Sequence, residues 1–197
     1  IEDQLEFYST VRTIRSIEQS DVCLLLIDAQ NGMERQDQAI FWQVVNSYRG
    51  VVILVNKWDL IEKDHQTMKT FEAAIRERIA PFTDVPILFT SNLTKQRILK
   101  AFEEAMEVYE NRNYKIPTSQ LNDFLLPIIQ NQPPPMYKGK MVRIKYVTQI
   151  KSQTPTFAFY CNLPQYIKDP YKRFLENHIR SEWDLSGVTI RLFFREK

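Results

Sequence analysis

Three short apolar runs constrain the first two-thirds of this chain more than anything else in it: residues 22–27, 51–55 and 86–90. A strand that is apolar on consecutive residues has no polar face to show to water, so both of its faces must be covered. The intervening segments supply the covers. Tyr8, Val11, Ile14 and Ile17 recur at helical spacing, as do Ile40, Val44 and Val45, then Met68, Phe71, Ile75 and Ile79, then Ile98, Phe102, Met106 and Tyr109. Strands alternating with amphipathic helices predict an α/β fold, a parallel sheet with flanking helices. Ligands of such sheets bind beyond the carboxyl ends of the strands.

Beyond that point the pattern changes. Thr118 or Ser119 can cap one more helix, running to about residue 130 and kinked or stopped early by Pro127. Three prolines follow, Pro133-Pro134-Pro135, and a domain boundary is expected there. After them, apolar residues alternate in twos: Val142, Ile144, Tyr146; Phe157, Phe159, Cys161; Val188, Ile190, Leu192, Phe194. A helix over 170–183, with Phe174, Leu175, His178 and Ile179 inward, completes a small α+β domain. The free face of its sheet displays Arg143, Lys145, Arg191 and Arg195. Charge divides at the same place. Residues 1–132 hold 14 Lys+Arg against 19 Asp+Glu, and residues 133–197 hold 12 against 5. An acidic part and a basic part imply different partners.

Exclusions follow quickly. No apolar run approaches the ~18 residues of a membrane span. Cys23 and Cys161 lie in apolar runs far apart and read as buried, reduced thiols of a cytosolic protein. With only His65 and His178 besides, no metal-ligand spacing exists.

Chemistry enters where the second run ends, at Asn56-Lys57-Trp58-Asp59. Guanine presents two donors on one edge, its ring N–H and its exocyclic amine, and one ionised carboxylate can accept both. Adenine lacks that pair and would leave Asp59 desolvated and unpaired, so the site discriminates strongly. Lys57 can lay its stem on the purine face, and the Asn56 amide can tie the loop to its neighbours. The third run ends in Thr90-Ser91-Asn92-Leu93, whose backbone N–H groups could donate to the guanine oxygen. The plainer reading of that segment is a loop capping the next helix. A phosphate cradle, Gly-x-x-x-x-Gly-Lys-Ser/Thr, is not among these 197 residues, and Asp28 reads as a strand-end residue capping a loop.

These segments, with Phe7-Tyr8-Ser9, Leu26-Ile27-Asp28-Ala29, Gln132-Pro133-Pro134-Pro135 and Gly187-Val188-Thr189-Ile190-Arg191-Leu192, resemble the Der (EngA) family of tandem-domain, Era-like bacterial ribosome-assembly GTPases. The resemblance covers nearly the whole chain. It implies that residues 1–116 are the later part of a second, Ras-like P-loop GTPase domain, beginning just after the second switch. Residues 117–197 would then be a KH-like domain: helix 117–131, the proline break 133–135, then sheet and helix. Asn56, Lys57 and Asp59 would read guanine, and Ser91, Asn92 and Leu93 would form the second base-contact loop. The family usually has Ala where Asn92 stands. GTP and GDP are the implied ligands, with Mg²⁺ only when the upstream segment is present, and this chain alone is expected to be inactive. A sheet of three strands should leave apolar edge and helix faces uncovered, so the isolated chain should be marginal or self-associate.

Implied partners are the preceding GTPase domain and ribosomal RNA or a ribosomal subunit, met by Arg143, Lys145, Lys172, Arg173, Arg191 and Arg195. The usual Gly-x-x-Gly clamp of KH domains is missing; Leu163-Pro164-Gln165-Tyr166 and Lys168-Asp169-Pro170 occupy the region before the helix. The basic face is therefore open to two uses, RNA or an acidic neighbouring domain. The alternative to a GTPase part is a non-enzymatic RNA-binding or docking module with a degenerate nucleotide domain.

Overall fold

The computed structural model describes residues 2–62, 64 and 66–196, with residues 2–10 as backbone only. His65 and the side chain of Tyr8 lie outside the described residues. Two units form: Ile1–Asn111 with Ser186–Thr189, and Arg112–Leu185 with Ile190–Lys197. The division falls at 111/112 rather than 116/117 or the prolines, because Ile116 and the helix after it bury their apolar side chains in the second core.

The first unit runs α1 (Glu2–Gln19), β1 (Val22–Asp28), α2 (Arg35–Asn46), β2 (Gly50–Asn56), α3 (Thr67–Ile79), β3 (Ile87–Phe89) and α4 (Ile98–Asn113). The three strands are parallel in the order β1-β2-β3. The two-residue period of β2 splits its core. Val51, Ile53 and Val55 face α2 and α3 with Phe41, Val44, Ile75 and Ile79, while Val52 and Leu54 pack with Leu88, Ala101, Val108 and Val188. Val188 therefore belongs to this unit and not to the core of the second sheet. The stretch 186–189 fills a place in the ladder that β3, starting only at Ile87, leaves open: Val51 N–H donates to Gly187 O at 2.9 Å, and Gly187 N–H donates to Asp84 O at 2.8 Å.

Helix α4 sits with Ala101 and Val108 toward the sheet. Its Phe102, Met106 and Tyr109, the residues that mark it as helical in the sequence, turn outward beside Leu99. Cys23 is half-buried rather than buried, with Ser20 Oγ 3.1 Å from its sulfur. β1 is an edge strand, so one flank of its residues is left open.

The second unit holds α5 (Thr118–Asn131), β4 (Ile144–Ile150), β5 (Thr156–Cys161), α6 (Asp169–Glu182) and β6 (Arg191–Glu196). β5 is central, antiparallel to β4 and parallel to β6. Pro117, not Thr118 or Ser119, is the residue before the first turn of α5, and the helix continues through Pro127 to Asn131 without stopping. Leu121, Leu125 and Ile129 supply the burial that holds it. A bulge between Ile144 and Tyr146 breaks the expected alternation, so Val147 and not Tyr146 is buried. In α6 the buried stripe is Tyr171, Leu175 and Ile179; Phe174 and His178 are half-buried and meet edge to face at 4.5 Å.

Candidate guanine-reading site

Strands β1, β2 and β3 deliver their carboxyl ends to one side of the sheet, so Asp28, Asn56 and Thr90 start neighbouring loops. Asn56 is the hub. Its carbonyl accepts from Ala29 N–H at 2.9 Å, and its side-chain Oδ1 accepts from Asn92 N–H at 3.3 Å. The amide thus ties together the two loops expected to form the walls of a purine site.

Trp58, the one residue of Asn56–Asp59 without a base-reading role in the sequence, anchors the loop. It is 2% exposed, edge-on to Phe71 at 5.2 Å and tilted against Phe89 at 4.4 Å. Its N–H donates to Thr90 O at 3.0 Å. With Trp58 held inside, Asp59 is placed half-buried on a single 3-10 turn, Trp58–Leu60. The signal for Trp58 was legible: a large aromatic between polar residues right after a buried strand has a core to fill.

Lys57 adopts a left-handed backbone, φ 60°, which bulky side chains avoid and which recurs at functional turns. Its ammonium is 2.5 Å from Asp28 Oδ2. Asp28 was read only as a loop cap. It does accept from Gln30 N–H at 2.9 Å, but it also fixes the tip of Lys57. The hydrogen bond from Lys57, then that from Gln30, hold the Asp28 carboxyl below the ordinary carboxylate range. The pair lies at the solvent surface, so its role is orientation more than stability.

In the facing loop, Ser91 is buried and accepts at Oγ from Thr94 N–H, 3.1 Å away, which rigidifies the turn. Asn92 is exposed and offers its N–H to Asn56; Leu93 is 83% exposed and contributes no core. Among the described residues no cluster of His, Cys, Asp and Glu could hold a metal. Among the described residues no helix is long and apolar enough to cross a membrane.

Residues 6–130 match the family described as the elongation factor Tu GTP binding domain. Residues 115–195 match the KH-domain-like C-terminal family of EngA bacterial GTPase enzymes. The chain is 57% identical over its full length to GTPase Der of Flavobacterium psychrophilum, covering 45% of that protein. It is 56% identical to GTPase Der of Bacteroides fragilis, covering 46%. The chain belongs to the Der (EngA) GTPase family. It spans about half the length of the Der relatives it matches. A solved structure of an Aquifex aeolicus Era variant bound to GDP and aluminium fluoride aligns at TM-score 0.42 and 17% identity, covering 93% of this chain and 68% of that one.

The six basic residues named as candidate RNA or interdomain contacts are spread over the sheet and α6. Register places Arg191 and Arg195 on the sheet face opposite Phe157 and Phe159, while Lys172 and Arg173 ride on α6, which packs against those phenylalanines. Lys145 falls in the bulge and Arg143 precedes β4. Lys172 is paired with Asp169 at 2.8 Å, and Arg191 lies over Phe193 at 4.9 Å.

Proposed function

We propose that this chain is the guanine-nucleotide-binding part of a cytoplasmic GTPase acting in biogenesis of the large ribosomal subunit, with the KH-like unit contacting RNA. One observation carries the nucleotide reading: Asn56 joins the Asn56–Asp59 loop to the Ser91–Leu93 loop at adjacent parallel strand ends, where such folds bind ligands. The donor set fits guanine. Asp59 offers one carboxylate for two base donors. The backbone of Asn92 and Leu93 stands in the facing loop, and the Lys57 stem is held by Asp28.

Bound nucleotide supplies the phosphoryl group to be cleaved. The residues here select the base and position it; the groups for phosphates and Mg²⁺ come from sequence outside these 197 residues. This chain alone therefore hydrolyses no GTP. Net positive charge after residue 132 supports RNA as the partner of the second unit.

Calorimetric titration of GDP and ADP into the full-length protein tests the reading, with Asp59→Ala as the variant. GDP binding that loses one equivalent in the variant, and no ADP binding, is the expected result. Unchanged GDP stoichiometry in a folded variant removes Asp59 from the site and moves the reading to a non-enzymatic RNA-binding module.

A further inference from the structure

Two segments of the second unit bring an aromatic pair and a set of lysines together. Residues 137–140 form a tight turn in which Tyr137 and Lys140 exchange backbone hydrogen bonds of 3.1 and 2.9 Å. The turn residues Lys138 and Gly139 both have positive φ, 48° and 75°, the conformation of a two-residue hairpin turn. The turn sets Tyr137 against Tyr166, which lies on the short 3-10 turn before α6. The rings stack at 4.4 Å with 19° between their planes. Two ammonium groups converge on the Tyr137 ring, Lys138 Nζ at 5.5 Å and Lys168 Nζ at 5.9 Å from its centroid. Lys138, Lys140 and Lys168 are all exposed, as are Met136 and Met141 at the base of the turn. The acidic group nearest in sequence, Asp169, is engaged by Lys172.

Stacked tyrosines flanked by three exposed ammonium groups have two complementary needs, a flat π surface and a chain of negative charge. A single-stranded nucleic acid meets both, because each nucleotide carries a base face and a phosphate. An acidic protein segment meets only the second. The geometry points to Tyr137, Tyr166, Lys138, Lys140 and Lys168 as a stacking platform for single-stranded RNA, in place of the Gly-x-x-Gly clamp that this domain lacks. The platform rests on the RNA reading of the second unit and gives it a location. The sheet face is the poorer candidate: its basic residues are dispersed, and Arg191 is already laid over its own strand's Phe193.

Fluorescence anisotropy of a labelled single-stranded oligouridylate with the full-length protein, across a salt series, tests this. Tyr137→Ala should weaken binding ~5- to 100-fold, and Tyr137→Phe, which keeps the ring, should restore it. Changing Lys138, Lys140 and Lys168 together to Gln should lower the log–log salt slope by about 2, at ~0.7 per phosphate contact on a single strand. Arg191→Gln with Arg195→Gln should leave affinity within about twofold of the parent, a small share of one stacked base. No binding by the unaltered protein overturns both the RNA reading and the platform. Binding that survives the Tyr137 and lysine changes but is lost with the arginine pair keeps RNA and overturns the platform. Binding that polyglutamate displaces as well as unlabelled RNA does, with Tyr137→Ala indifferent, assigns the lysines to an acidic protein and overturns it too.

Discussion

Helices α4 and α6 have similar lengths, 16 and 14 residues, and close their units in opposite ways. Helix α6 spends its apolar stripe inside: Tyr171, Leu175 and Ile179 are all buried. Of its apolar residues, helix α4 buries only the small Ala101 and Val108 and leaves Leu99 79% and Phe102 61% exposed, with Met106 and Tyr109 beyond them. The stripe at 99, 102, 106 and 109 has the three-four-three spacing of a helix face made for packing. Helix α6 therefore buries its own apolar stripe, whereas α4 carries one that stays exposed. An apolar stripe in sequence identifies a helix without identifying what covers it.

That contrast can be broken in several ways, most directly by truncating each stripe. Leu175→Ala should cost the second unit about 2–5 kcal/mol, read as faster hydrogen exchange in β5 and α6 with β2 unchanged. Equal loss in both units would mean that they unfold as one. Gly187→Ala should act on the first unit. A Cβ there would lie 2.5 Å from Val108 Cγ2 and 2.8 Å from Val51 O, at φ +74°. Left-handed strain and overpacking together give a loss of roughly 2–4 kcal/mol in urea denaturation. A neutral outcome would show that 186–189 is not held in the sheet.

A pH series separates the units more gently. Burial pushes the Tyr171 phenol up to about 12, and its hydroxyl donates to Gln132 O at 2.7 Å, which requires the proton. The unfolded phenol ionises near ~10, so between about pH 10 and 12 the folded state holds a proton that the unfolded state has lost. Stability of the second unit should therefore be intact below pH ~10 and fall as pH rises toward 12. Tyr171→Phe should flatten that decline, and an unchanged slope would assign it elsewhere. The smallest effect on stability is expected at α4, where Phe102→Gln should change unfolding by no more than ~0.5 kcal/mol. The same variant should reduce self-association of the isolated 197-residue chain in sedimentation. If it instead destabilises the first unit strongly, the α4 face is already covered.

Much of the site was legible in sequence because it follows from strand ends. Residues at the carboxyl edge of adjacent parallel strands must meet, so Asn56 and Asn92 could be paired before any coordinates. The pairing of Asp28 with Lys57 was not legible, because the two are 29 residues apart and the contact depends on a left-handed backbone at Lys57 that nothing local announces. The burial of Val147 in place of Tyr146 escaped the sequence for a different reason. Period-two alternation assumes an unbroken pleat, and one bulge after Ile144 moves every later residue of β4 to the other face.

The sequence by itself determined the order of elements, the parallel α/β character of the first unit, the α+β character of the second and which loops start at neighbouring strand ends. Those are matters of local period and of strand direction, which a single chain encodes within a few residues. Tertiary structure alone decided which side of α4 faces the sheet, that 186–189 completes the first sheet, and that Tyr137 meets Tyr166. Each depends on contacts between segments far apart in the chain, where close packing selects one arrangement among several that the local pattern allows equally.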